Sequence, residues 1–334
     1  MTDLLASRLV SLLDSIRILP RRMLLETPGV EATVPMLRGV WGAALHDLDP
    51  RAYAEVFAPN DEPARGPGGP PPGPAPPLGH GEALSAARPA GSAGPPPPVR
   101  GGTAAAGYVL RPAPPDPHFA PAVEWILIAA ALDHEFALCR AWDVASGMGL
   151  GPQRRRFHIR RIVALGPDGA TAEQMAPWPL GSARWPASPR GESDVPPGLV
   201  SRQPCRLSFP APLRLMRQGR LIERPTLADL VAAACRRVKT YLAPPRRELW
   251  DALSREALDL ARSTPAGPWQ GERLDLRRYS GRQRAELELR GVTGFLDLPR
   301  GPGQLWPLLA AALWIHLGKG TVMGLGQVSI IPLA

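Results

Sequence analysis

The chain has 334 residues, 44% of them hydrophobic, enough for one large core or two ordinary ones, and its net charge of +9 with a pI near 10.4 favours a polyanionic partner such as nucleic acid. No apolar run of about eighteen residues is present to span a bilayer and the N-terminus lacks a signal pattern, so a cytoplasmic protein without a membrane partner is expected. Cys139, Cys205 and Cys235 lie far apart without metal-ligand spacing, which argues against a disulfide framework and against a zinc site.

Leu4 to Met23 is apolar with interspersed arginines and reads as containing a strand, although LLASRLVSLLDSI fits a short helix equally well. Val34, Leu37, Trp41, Leu45 and Leu48 recur at steps of three and four and predict a helix with His46 at its C-terminal end. Gly39 and Gly42 fall inside it, where glycine costs about 1 kcal/mol relative to alanine and points to close packing or a close ligand. Residues 61 to 100 hold 13 prolines and 8 glycines. Such a stretch cannot supply the apolar surface that offsets chain ordering, so 58–107 is expected to be a disordered Pro/Gly-rich insertion in a loop.

Tyr108 to Arg111 and Val123 to Ala130 follow as extended pieces. A helix from Asp133 to Ser146 carries Phe136, Cys139 and Trp142 at helical spacing and ends at Gly147, Gly149 and Gly151. Arg154 to Leu165 alternates as a strand, with Phe157, Ile159, Val163 and Leu165 on one face and Arg156, His158 and Arg160 on the other. In the second half, Arg206 to Phe209 is a short strand and Thr226 caps a helix running to Leu242. Arg247 to Arg262 is a further, inserted helix. Gln283 to Leu298 is expected to form two strands hinged near Gly291 or Gly294, and Gln304 to Leu317 and Gln327 to Ile331 the last helix and strand.

Both halves therefore read β-α-β-β-α-β. Met148-Gly149-Leu150-Gly151 and Met323-Gly324-Leu325-Gly326 are the same four residues, each between the second helix and the last strand of its half. The expected class is α+β, two tandem ferredoxin-like (RRM-like) domains: an N-terminal one at 1–57 and 108–195, and a C-terminal one at 196–334. A basic cleft between two such sheets suits single-stranded nucleic acid.

Gly318, Gly320, Gly324 and Gly326 crowd into nine residues between the last helix and the last strand. They imply a backbone brought close to something: a phosphate chain, or simply the protein itself in a tight turn. The order helix, glycines, strand is neither a Walker loop nor a Rossmann fingerprint, so a nucleotide cofactor is not expected. Lys319, one of only two lysines in the chain with Lys239, lies inside this loop.

Four stretches in order resemble the CRISPR-associated endoribonuclease family numbered six, of the RAMP superfamily. Arg38-Gly39-Val40-Trp41-Gly42-Ala43-Ala44-Leu45 is similar to its RGxxGxxL helix, and Arg206 to Leu230 to the start of its second domain. Arg278-Tyr279-Ser280-Gly281-Arg282-Gln283, followed by Gly291 and Gly294, resembles its RYSxRQ stretch, and Trp314 to Gly326 its C-terminal glycine-rich loop. The resemblance implies repeat-specific cleavage of precursor CRISPR RNA without a metal or other cofactor: the ribose 2′-OH attacks the adjacent phosphate, leaving a 2′,3′-cyclic phosphate and a 5′-OH, and the guide RNA stays bound. It further implies His46 for proton transfer, with Lys319 and Arg38 as the cations for the phosphorane. Arg154, Arg155, Arg156, His158, Arg160, Arg161 and the loop glycines would contact RNA, with His158 as the rival histidine.

His316 is expected to pack in or beside the last helix, His134 to begin a helix, His80 and His118 to serve no site, and Tyr53 to pack beside Phe57 or to partner His46. Many relatives carry a cysteine cluster where this chain reads Asp49-Pro50-Arg51-Ala52-Tyr53-Ala54. A structural metal is accordingly not expected there. Some members bind RNA without cutting it, so the alternative is a non-catalytic RAMP subunit that holds guide RNA alongside the other subunits of a CRISPR effector complex.

Overall fold

The computed structural model describes residues 4–29, 31–58, 106–113, 122–184, 202–280 and 285–333, with the backbone alone at 276–280 and 285–289. Most of the Pro/Gly-rich stretch, His80, His118, the expected domain boundary at 195/196 and most of the RYSxRQ-like stretch lie outside the described residues or side chains.

The opening segment satisfies both of its readings in succession: helix α1 (Leu4–Leu13) and then strand β1 (Arg17–Glu26). Thr33 caps helix α2 (Val34–Leu48) by accepting the Met36 N–H at 3.4 Å, and Pro35 pre-sets the first turn. Asp49 closes α2 and caps α3 (Pro50–Val56), accepting the Ala52 N–H at 2.9 Å. A Cβ at Gly42 would meet Phe57 Cε1 at 2.9 Å, so close packing explains that glycine. Gly39 has nothing within 4 Å of such a Cβ and needs another account.

Strands β2 (Tyr108–Pro112), β3 (Ala122–Ile128), β4 (His158–Leu165) and the short β5 (Thr171–Ala172) complete an antiparallel sheet in the order β2-β3-β1-β4-β5, with β6 (Trp178–Pro179) beside the start of β1. Helix α4 (Glu135–Met148) lies against α2. One sheet face, with Leu19, Met23, Tyr108, Trp125 and Leu127, packs with these helices around Trp41, whose ring stacks on Trp142 at 4.6 Å and whose Nε1–H donates to Leu138 O at 3.0 Å.

The single alternation expected along β4 does not hold. The β1–β4 register slips at Leu24/Leu25, where Leu24 faces Arg161 and Leu25 faces Ile159. The extra residue, Arg160, is a bulge, so Ile162 joins Phe157 and Ile159 in the helix-side core while Leu165 joins the other core.

The second half holds β7 (Cys205–Leu213), the small hairpin β8 (Met216–Arg217) and β9 (Arg220–Leu221), α5 (Leu227–Tyr241) and α6 (Pro244–Ser263). It then runs through β10 (Gln270–Ser280), β11 (Ala285–Leu298), α7 (Trp306–Ile315) and β12 (Ser329–Pro332). Thr226 and Asp229 form a reciprocal capping box on α5. The antiparallel sheet runs β10-β11-β7-β12. The described part of Gln283 to Leu298 is not two hinged strands. It is one long strand, β11, paired along its length with β10, and the glycine hinge is a bulge against β7 between Val292 and Gly294. A Cβ at Gly294, whose φ is +151°, would lie 2.2 Å from Gln270 O.

Each half thus orders its four main strands 4-1-3-2 by sequence. The repeated Met-Gly-Leu-Gly stretches share positive φ at their glycines but not one conformation, since ψ is 169° at Gly149 and 1° at Gly324. Gly149, Gly151, Gly324 and Gly326 have φ of 78°, 70°, 82° and 65°, and the leucine between each pair is buried. Among the described residues, α7 fills the space between the halves. All ten of its residues are buried, as suits a helix apolar all round. It packs on β2 and β3 on one side and on α1 and α5 on the other, within one continuous core.

Candidate functional site

The glycine-rich loop after α7 is folded onto the protein itself. Gly318, Gly320, Gly324 and Gly326 all have φ between 65° and 82°. Added Cβ atoms would lie 2.5 Å from Arg214 O at Gly318, 2.7 Å from Leu325 Cδ1 at Gly320 and 1.8 Å from Leu317 O at Gly326. The backbone N–H groups of Lys319, Met323, Gly324, Leu325 and Gly326 donate to Arg214, Gly320, Thr321, Gly320 and Pro212. Those donors are occupied, so the tight-turn reading accounts for them without a phosphate. What the loop offers outward is Lys319, whose side chain is exposed and makes no ion pair among the described residues.

Two groups pin the loop from below. Arg237 of α5 donates to Thr321 Oγ1 at 2.7 Å, and Thr321 is buried. His316 is fully buried with φ 57° and ψ 166°, and its Nδ1 meets Leu325 O at 3.1 Å. Burial holds its pKa well below 6.5, and the charges of Arg111 and Arg237 act in the same direction. The imidazole is therefore neutral, with Nδ1–H donating to Leu325 O. Sequence spacing placed it beside the last helix; nothing in the spacing showed that it is the loop's internal support.

The loop borders one end of the first sheet: Gly324 lies against Leu110 O and Val34 Cγ1, at the exit of β2 and the start of α2. Antiparallel pairing brings the entry of β4, with Arg154 to His158, to that same end. By strand spacing, β4 is about 14 Å from β2. Arg154, Arg156, His158 and Arg161 are exposed, while Arg160 pairs with Glu26 and the Arg155 Nε–H donates to Gln153 at 2.8 Å. Gly324 of the loop and the arginine run thus lie at the same end of the first sheet, three strands apart.

His46 stands elsewhere. It lies twelve residues along α2 from Val34, about 18 Å, toward the opposite end of the sheet. Its side chain is 62% exposed and meets the edge of Tyr53 at 5.0 Å, and Tyr53 stacks on Phe57 at 5.6 Å. Arg38 is half-buried, its guanidinium 5.5 Å from the Phe57 ring centre. The chain therefore groups His46 with Tyr53 and, through Phe57, with Arg38, while the glycine-rich loop touches the opposite, Val34 end of α2. One residue acquires a partner that sequence reading missed: His134 Nε2 lies 2.7 Å from Glu55 Oε2, on the far flank of α3. No sequence signal links two residues 79 positions apart.

The cysteines are free, and burial pushes the thiols of Cys205 and Cys235 up to about 12 and about 11. Among the described residues no three of His, Cys, Asp and Glu come together as a metal cluster, and no helix is long and apolar enough to cross a membrane.

Residues 207–328, from β7 through the glycine-rich loop, match the family model described as CRISPR-associated endoribonuclease Cas6. No curated protein matches the chain. Among solved structures, a product complex of Cas6 from Thermus thermophilus is 14% identical, covering 95% of this chain and 100% of that one, with a TM-score of 0.50. A second Cas6 product complex is 16% identical over 94% of this chain and 99% of that one, with a TM-score of 0.49. The family match falls on the segment that builds the second sheet and the loop, and it bears out the resemblance read from the sequence: over residues 207–328 the chain is similar to the CRISPR-associated endoribonuclease Cas6 family.

Proposed function

We propose that this chain is a metal-independent endoribonuclease that cuts precursor CRISPR RNA within its repeats and keeps the processed guide RNA. The family match across the glycine-rich loop carries the reading. The two β-α-β-β-α-β halves, each ordered 4-1-3-2, support tandem ferredoxin-like domains. An exposed basic edge supports a polyanionic partner.

The chemistry requires a base for the 2′-OH and an acid for the leaving 5′-oxygen. His46, solvent-accessible with Tyr53 beside it, is the residue we assign to proton transfer. Lys319 and the exposed arginines of the β4 edge hold the strand. Because the loop lies about 18 Å along α2 from His46, they grip RNA several nucleotides from the scissile bond. Arg38, its guanidinium over the Phe57 ring that stacks on Tyr53, stays with the His46 group as a cation for the phosphorane.

The test is incubation of the purified chain with its repeat RNA in EDTA. One cut leaving a 2′,3′-cyclic phosphate, slowed about 100-fold or more in His46→Ala with RNA affinity retained, is expected. Unchanged cutting in His46→Ala with loss in His158→Ala or His134→Ala would transfer the role. Binding without any cut would establish the non-catalytic guide-holding subunit instead.

A further inference from the structure

A cavity of about 540 Å³ opens in the second half, where the start of α5, the end of α6 and the segment leading into β10 converge. That volume is typical of small-molecule sites. Its apolar wall is Leu227, Ala261 and Leu296, all buried, together with the half-exposed ring of Trp269, which packs against Phe209 at 5.6 Å. Arg224 and Arg262 stand in the lining and no carboxylate does. Arg224 makes no ion pair among the described residues, and Arg262 meets only Asp259, at 2.7 Å in an exposed pair that water screens.

An apolar slot with a tryptophan wall takes a flat ring, and two arginines at its mouth take an anion. We infer that this cavity binds one nucleotide unit of an RNA strand, its base along Trp269 and its phosphate between Arg224 and Arg262. The choice of an RNA strand rests on the proposed function. The placement suits it: Arg237, which grips the glycine-rich loop through Thr321, lies ten residues along α5 from Leu227, about 15 Å. A strand held at the loop can extend along α5 and insert one unpaired base.

The full chain labelled with nitrogen-15 at its nine tryptophans reports the site through the indole N–H resonance of Trp269, identified by its absence in Trp269→Phe. A short single-stranded RNA should move that resonance saturably, adenosine monophosphate should move it more weakly, and inorganic phosphate should not. Arg224→Gln with Arg262→Gln should weaken the response about tenfold, the worth of a lost charge-assisted contact, while the other indole resonances stay in place as proof of folding. No movement with either nucleic ligand, an equal response to phosphate, or full affinity in the double variant would overturn the site. A response to the mononucleotide with RNA inert would overturn the strand as its source. Cleavage is not read in this experiment, so its failure is distinct from a failure of the proposed activity.

Discussion

His316 adopts φ 57° and ψ 166°, a region nearly reserved for glycine that costs about 1–3 kcal/mol, and it is fully buried between α7 and the loop it supports. The strain persists because the surroundings over-determine it: the Leu317 N–H donates to Gly326 O at 2.9 Å and the imidazole donates to Leu325 O at 3.1 Å, closing the loop twice. Its depressed pKa has a consequence for stability. In the unfolded chain the imidazole takes a proton near pH 6.5, whereas in the folded chain burial and the nearby Arg111 and Arg237 resist it. The stability that His316 contributes is therefore fully present above about pH 6.5 and is lost as pH falls from there toward the folded value. Urea unfolding at pH 7.5 and pH 5.5 should show the wild type losing stability at the lower pH. His316→Asn, whose amide can still donate to Leu325, should lose less; equal losses in both would show that His316 is not the group responsible.

At the level of elements, the edge where β4 enters the first sheet divides its arginines into two kinds. Arg156 and Arg161 are exposed and unpaired among the described residues, whereas the bulged Arg160 is held by Glu26. If this edge grips RNA, Arg156→Ala and Arg161→Ala should each weaken binding and lower the log-affinity versus log-salt slope by roughly 0.7–0.9. Arg160→Ala should do less, because its charge is already half spent; equal effects across the three would show that the bulge does not sort them. The bulge also marks how far the sequence could be read. The helical spacing of Val34 to Leu48 and the Thr226 cap were plain because period and cap chemistry are local. A bulge depends on the register with a partner strand, so alternation along β4 looked regular until β1 was laid beside it. Strand β10 escaped notice because QGERLDLRRYS is charged and its pairing lies across a hairpin with β11. The glycine loop could be located but not interpreted, since the atoms that exclude a Cβ belong partly to Arg214, more than a hundred positions earlier. The separation of His46 from the glycine-rich loop was hidden for the same reason: the neighbours of neither in sequence set the direction in which α2 runs.

Across the whole molecule, the described residues join the two halves by an apolar helix and by a buried ionic cluster. Glu124 of β3, with a side chain 2% exposed, accepts from Arg22 at 2.7 Å and from Arg111 at 2.6 Å. Arg111 continues across the seam, donating to Leu313 O and lying 4.9 Å from the centre of the Trp314 ring in α7. The carboxylate thus orients the arginine that fixes the end of α7, and the glycine-rich loop leaves that end. Removing one member of a buried cluster leaves uncompensated charge, which costs about 3–5 kcal/mol, far more than the net worth of the intact pair. Glu124→Gln should therefore lower the denaturant midpoint strongly, since two arginines lose their carboxylate at once. Replacing all three by apolar residues of similar volume should recover most of that loss, because an apolar seam no longer has charges to satisfy. RNA affinity separates the two roles of the cluster. If it sets the pose of the loop, the apolar triple variant should fold as stably as the wild type yet bind RNA more weakly. Wild-type affinity in that variant would mean that α7 alone fixes how the halves meet.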